Sequence, residues 1–147
     1  MKYSEAKPGR VFVVRLHDGE ILHEEIERLA VKEKIRSAWC VAVGGADAGS
    51  RLVVGPKDGR ASPVVPLQAT LDNVHEVAGV GTIFPDEAGA PVLHMHMACG
   101  RTTLTTTGCV RAGVKVWQVL EVVIHEITAC EALRRADPAT GFKLLEP

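Results

Sequence analysis

The alternation of apolar and polar residues predicts a chain built mainly of β-strands. Five runs are rich in β-branched and apolar residues and are typical of strands: residues 9–16, 39–43, 50–55, 74–84 and 114–127. In the last run both sets of alternate positions are partly apolar, which indicates a central strand or a subunit interface. We expect residues 39–43 and 50–55 to form a hairpin through 46–49, and residues 74–84 to pair with a strand that Pro91 opens.

One segment has the period of a helix instead. Between residues 20 and 37, apolar side chains recur near every 3.6 residues, and charged residues occupy the remaining positions. This pattern predicts a single main helix. Residues 56–66 contain three prolines and are expected to be a loop. Gly44-Gly45, Gly79 and Gly81 interrupt strands, which predicts bulges or unusually close packing at these points.

Length and composition fit one globular domain of 147 residues. There is no apolar run of eighteen or more residues, so no membrane span is expected, and the first ten residues do not resemble a secretory signal. The four cysteines lack the spacing of a disulfide framework, so we expect reduced thiols and a cytoplasmic location. The formal net charge of −1, without a basic run, argues against sequence-independent binding to nucleic acid.

The candidate chemistry lies in residues 92–110, which begin V-L-H-M-H-M-A-C-G-R. In a strand, alternate side chains share a face, so His94 and His96 point to one side and the two methionines to the other. If residues 100–105 form a hairpin loop, pairing Ala98 with Thr107 places Cys109 opposite His96. Two histidines and one cysteine are a ligand set that zinc accepts while keeping a fourth position open.

Two points stay open at this level. Histidines one residue apart are also found on half-exposed polar strands or as hydrogen-bonded core residues, and a cysteine is often simply buried. The register between residues 74–84 and the histidine strand is also undecided. In one register, Glu76 and Ala78 lie on the same face as the histidines. In the register slipped by one residue, Gly79 and Gly81 lie on that face instead.

The motifs together resemble the PPC domain, the "plants and prokaryotes conserved" domain. They are G-R-V-F, W-C-V-A-V-G-G, E-V-A-G-V-G-T-I, H-M-H, T-G-C-V and V-L-E-V-V-I, which fall within residues 9–127. The resemblance implies an α+β fold, with a mostly antiparallel β-sheet and one main helix. It also implies one domain over residues 1–147, with its core at about 9–127 and a tail at 128–147, and a homotrimer. The family usually has a further histidine, in G-G-H, where this chain has Cys109. Plant relatives bind DNA through an R-G-R-P motif that this chain lacks.

The same fold group is similar to acetolactate decarboxylase, which holds zinc with H-x-H and a later histidine. That resemblance implies zinc or another divalent metal on His94, His96 and Cys109, acting as a Lewis acid on a carbonyl. Arg101 is then a candidate clamp for a substrate carboxylate, and Glu76 a candidate proton shuttle. The alternative for Arg101 is a solvated side chain in a turn, and the alternative for Glu76 is a structural hydrogen-bond acceptor.

Three functional hypotheses follow from the sequence. The first is a homotrimeric PPC-domain protein with a divalent-metal site and a small-molecule ligand; if it is an enzyme, it is a metal-dependent lyase or hydrolase acting on a small carbonyl acid. The second is a DNA-binding, transcription-associated protein, as the family label says, although DNA is an unexpected partner without a basic patch. The third is a metal-free ligand-binding or scaffold trimer in which the histidines only pack.

Overall fold

A computed structural model describes all 147 residues and contains one large antiparallel sheet with a single α-helix, as predicted. The elements in chain order are β1 (Lys7–His17), α1 (Leu22–Glu33), β2 (Ser37–Ala46), β3 (Arg51–Pro56), β4 (Pro66–Thr70), β5 (His75–Pro85), β6 (Pro91–Arg101), β7 (Leu104–Cys109), a 3₁₀ turn (Val110–Ala112), β8 (Val116–Thr128), β9 (Leu133–Ala136) and β10 (Lys143–Glu146). No helix of the structure has the length and apolar character needed to cross a membrane.

The eight-stranded sheet has the order β1-β8-β2-β5-β6-β7-β3-β4, and β9 and β10 form a separate hairpin. The predicted hairpin between residues 39–43 and 50–55 is wrong, because β8 and β5 occupy the two edges of β2. β3 pairs with β4 and β7 instead. The turn between β2 and β3 forms its hydrogen bonds with other segments. The Asp47 amide donates to the Lys115 carbonyl, and the Gly49 amide donates to the Leu71 carbonyl.

The helix is shorter at both ends than the periodicity predicts. Ile21 is extended and bridges to Lys115, so the helix begins at Leu22. At the other end Lys34 adopts the left-handed conformation, with φ of 57°, and its amide donates to Ala30 and Val31 carbonyls. The Ile35 amide also donates to the Ala30 carbonyl, which closes the last turn. These bonds satisfy the terminal carbonyls and direct the chain into β2.

The helix covers one face of the sheet, which we call the covered face. Leu22, Ile26 and Ala30 on α1 are buried in the same apolar core as Met95 and Met97 on β6. Alternate residues of β6 point away from this core and are exposed. The side of β6 opposite the helix therefore remains uncovered within the single chain.

The uncovered side, which we call the open face, carries a row of apolar side chains across neighbouring strands. The row runs through register partners Val13, Val123, Val41 and Val80 on β1, β8, β2 and β5. Val13 and Val80 are 85% and 61% exposed, which is unusual for a row of aligned valines. Val80 then pairs with His96, so this apolar row leads directly to the histidines.

The predicted irregularity at Gly44-Gly45 is confirmed. The register between β2 and β8 shifts between these two glycines. Gly44 has φ of +150°, and a Cβ there would overlap the Val119 carbonyl of β8. A side chain at this point is therefore incompatible with the close approach of the two strands.

Candidate metal centre

The hairpin of β6 and β7 brings His94, His96 and Cys109 together. Ala98 pairs with Thr107 and His96 pairs with Cys109, which is the predicted register. Opposed residues on antiparallel strands place their side chains on the same face, so Cys109 approaches the two imidazoles. Both histidines are exposed in the single chain, whereas Cys109 is buried.

The distances fit a metal ion. The Nε2 atoms of His94 and His96 are 3.2 Å apart, and all three ligand atoms lie within 4.8 Å of one another. Zinc held tetrahedrally by two imidazole nitrogens requires a nitrogen–nitrogen separation of about 3.3 Å, and a nitrogen–sulfur separation of about 3.6 Å. The two histidines therefore already match the geometry, and Cys109 Sγ would complete it with a movement of roughly 1 Å.

The surroundings favour neutral, metal-competent imidazoles. Burial lowers the pKa of His94, and the nearby positive charges of Arg134 and Arg111 lower it further. Burial also lowers the pKa of His96, with additional contributions from His94 and Arg111. A neutral imidazole has a free lone pair for a metal, whereas a protonated imidazole has none. The surroundings thus favour the neutral imidazole, which is the form with a free lone pair.

Two arginines at this centre were not identified from the sequence. Arg111, in the 3₁₀ turn after β7, donates from Nε to Cys109 Sγ over 3.2 Å. Arg134, on β9, donates from Nη2 to Oγ1 of Thr82, the register partner of His94, over 3.0 Å. Arg111 follows Cys109 by two residues and could have been found by proximity to it. Arg134 lies in the tail, where no local pattern connects it with β5.

The three candidate metal ligands lie between two cavities. The first has a volume of about 400 Å³ and is bordered by α1, by the edge of β6 and by the β9–β10 hairpin. The second has a volume of about 520 Å³ and is bordered by β3, by the 56–66 loop and by His96. Cys109, Arg111 and Phe142 border both. A small molecule could therefore reach the histidines from either side.

Glu76 and Arg101 lie elsewhere. Glu76 shares the open face, but its register partner is Gly100, four residues along β6 from His96 and so about 13 Å away. Arg101 donates from Nη1 to the Val74 carbonyl over 2.9 Å. Both residues border a third cavity, which none of the three candidate metal ligands lines. The structure does not bring either side chain to the histidines.

Several solved structures share this fold. A plant- and prokaryote-conserved protein of Pyrococcus horikoshii is 20% identical, with a TM-score of 0.85 over 100% of this chain and 98% of that chain. A metal-containing protein of Archaeoglobus fulgidus is 23% identical, with a TM-score of 0.83 over 98% of both chains. A protein of Ralstonia eutropha JMP134, named as a candidate DNA-binding protein, is 24% identical, with a TM-score of 0.74 over 90% of this chain and 88% of that chain.

A curated relative and a family model also match. The chain is 25% identical over 137 residues to the bifunctional protein GlmU of Synechococcus sp. (strain JA-2-3B'a(2-13)). The match covers 92% of this chain but only 20% of that protein, so the chain spans about a fifth of the length of its curated relative. The model of the Plants and Prokaryotes Conserved (PCC) domain matches residues 3–128, from before β1 to the end of β8. The chain therefore belongs to the Plants and Prokaryotes Conserved domain family.

Proposed function

We propose that this chain is a metal-binding protein that holds zinc or a related divalent ion on His94, His96 and Cys109. The observation that carries the proposal is the 3.2 Å separation of the two Nε2 atoms with Cys109 Sγ within 4.8 Å of both. Three protein ligands leave a fourth position for water or for a ligand, as in catalytic zinc sites. The metal-containing relative of Archaeoglobus fulgidus supports the same interpretation.

When bound, such a metal supplies a Lewis acid that polarises a carbonyl oxygen or lowers the pKa of a bound water. The chain's own contribution is to keep both imidazoles neutral and to hold Arg111 against Cys109 Sγ. A reaction of the lyase or hydrolase class on a small carbonyl acid would suit this centre. A reducing compartment such as the cytoplasm would preserve the Cys109 thiol for ligation.

The test is elemental analysis of protein purified without a histidine tag. We expect about one zinc or related ion per chain, and loss of that ion in a His94→Ala/His96→Ala variant. His17→Ala is the matched control because His17 is exposed at the end of β1, away from the centre. A protein that remains metal-free after zinc is offered, or a double variant that retains the ion, would refute the proposal.

We also propose that the chain forms a homotrimer through its open face. The apolar row of Val13, Val41 and Val80 has no covering element within the chain, and water contact along such a row is unfavourable. A second copy of the same sheet offers a complementary apolar surface, and the trimeric number comes from the resemblance to the family. DNA is not part of the proposal, because the formal net charge is −1 and no basic run is present.

A further inference from the structure

The Arg134 side chain is buried and has no carboxylate partner. Arg134 is 7% exposed, and its side chain makes one hydrogen bond, to Thr82 Oγ1. Its guanidinium carbon also lies 5.9 Å from the centre of the Phe84 ring. Its Nε atom is fully shielded from solvent and has no acceptor. A guanidinium carries five N–H donors and stays charged, so burying it without an anionic partner is unfavourable. The β9 strand thus holds a buried positive charge that forms no ion pair with a carboxylate of the chain.

The neighbouring charges do not supply that partner. None of the chain's six ion pairs contains Arg134 or Arg111. Lys143, which also borders the first cavity, is paired with Asp86 over 3.1 Å. Glu27 provides the one carboxylate on the wall, and it accepts a hydrogen bond from the Leu93 amide over 2.8 Å. The cavity therefore has one excess positive charge, since its three cations are balanced by only two carboxylates. The cations are Arg111, Arg134 and Lys143, and the carboxylates are Asp86 and Glu27.

The cavity places this charge beside the metal ligands. Thr82, which holds Arg134, is the register partner of His94. Directly opposed side chains have Cβ atoms about 4.5–5.5 Å apart, so Arg134 lies within a few ångströms of the His94 side of the centre. The rest of the wall is apolar at Val92, Leu93 and Phe142. In α1, the Nδ1 atom of His23 is another buried polar atom without a partner on the same wall.

We propose that this cavity binds a small monocarboxylate, with its carboxylate on Arg134 and Arg111 and its short carbon chain against the apolar wall. Planar carboxylates match the fork of N–H donors on a guanidinium. In the metal-free chain, one excess positive charge favours a monoanion over an inorganic dianion, which Glu27 would repel. The proposal depends on the proposed function only in placing a metal next to the ligand. The anion subsite itself is formed by the two arginines and does not require the metal. Arg134 lies beyond residue 128, outside the part that the family model matches.

The test uses propionate, its neutral isostere propionamide, and inorganic phosphate as probes. Binding to the purified full chain is followed by the NMR signal of the Arg134 Nε–H group, assigned by its loss in Arg134→Gln. We expect propionate to shift this signal in a saturable way, and propionamide to leave it unchanged. Arg111 is exposed, so Arg111→Gln should leave the core intact. Affinity for propionate, measured by calorimetry, should fall at least about tenfold in each arginine variant.

The controls separate this proposal from the metal proposal. Arg36→Gln removes an exposed arginine between α1 and β2 and should leave propionate affinity unchanged. The His94→Ala/His96→Ala variant should still bind propionate, because the arginines are intact, whatever its metal content. Loss of propionate binding in that variant would assign the carboxylate to the metal and overturn the proposal. Equal binding of propionamide, tighter binding of phosphate than of propionate, or unchanged affinity in Arg111→Gln would overturn it as well.

Discussion

The two faces of β6 differ in what they do although they share one backbone. Met95 and Met97 are fully buried under α1, whereas His94 and His96 are exposed on the open face. On the covered face, apolar burial provides stability. On the open face, the same strand carries the two histidines of the candidate metal centre. The alternation of a strand thus allows neighbouring residues to serve stability and chemistry separately.

The neighbouring strands divide in the same way. On β2, Trp39, Val41 and Val43 are exposed, while Ala38, Cys40 and Ala42 are buried. The difference between the faces is that the open face remains apolar without a covering element in its own chain. Under the proposed homotrimer, another copy would cover this face, and the candidate metal centre would lie at the edge of the contact.

The largest effect is expected for Val41→Lys at the centre of the open face. Each assembled copy would bury an unpaired charge, which costs about 3–5 kcal/mol per site. We expect a shift from trimer to monomer in analytical ultracentrifugation, with the subunit still folded. Val31→Lys on the outer surface of α1 is the control, since Val31 is 65% exposed and far from the open face. A Val41→Lys variant that remains trimeric would show that another surface mediates assembly.

Met97→Ala and His96→Ala test the division within one strand. Removing the fully buried Met97 side chain should lower the free energy of unfolding by about 2–5 kcal/mol, because it leaves a cavity under α1. His96→Ala should change it by less than about 0.5 kcal/mol in metal-free protein, since its side chain is exposed. Urea denaturation with a chelator present measures both values. Similar losses in the two variants would contradict the division of β6 into a stabilising face and a face that carries the candidate ligands.

The sequence was sufficient for this hairpin because its determinants are local. A period of two residues and a short loop place His94, His96 and Cys109 on one face, and the register follows from the loop length. The strand order was not accessible in the same way. β8 inserts between β1 and β2, and that pairing joins residues about 80 positions apart along the chain. Arg134 was missed for the same reason, because only the folded tail brings β9 beside Thr82.

Gly81→Ala tests how closely the covered face is packed. A Cβ at Gly81 would lie 2.7 Å from the Met95 Cβ and 2.9 Å from the His94 carbonyl, so the strands would have to separate. We expect a loss of about 1–3 kcal/mol in the free energy of unfolding. Gly100→Ala is the matched control on the same strand pair, because its nearest atom would be Thr105 Oγ1 at 3.6 Å. A larger loss in Gly100→Ala than in Gly81→Ala would contradict this account of the packing.

The smallest effect is expected at the polar edge of the covered face, where Arg10 connects the sheet to the helix. Arg10 donates to both carboxylate oxygens of Glu126 and to the Glu33 carbonyl at the end of α1. The Arg10 hydrogen bond holds the pKa of Glu126 below its usual value. Because the pKa is lowered in the folded state, the pair stabilises the fold above the unfolded-state pKa near 4.5. That stabilisation disappears as the pH falls through the lower, folded-state pKa.

Glu126→Gln should therefore lower the free energy of unfolding by about 1 kcal/mol or less at pH 7, since Arg10 is half exposed and solvent screens the pair. The difference in stability between the variant and the original chain should shrink below pH 4.5. Protonated Glu126 is neutral, as the glutamine is, so the original chain then also lacks the ion pair. Urea midpoints measured from pH 3 to pH 7 would show this convergence. Glu131→Gln, an exposed carboxylate without an ion pair, should follow the original chain at every pH. A difference that grows as the pH falls would mean that Arg10 contributes to stability independently of the Glu126 charge.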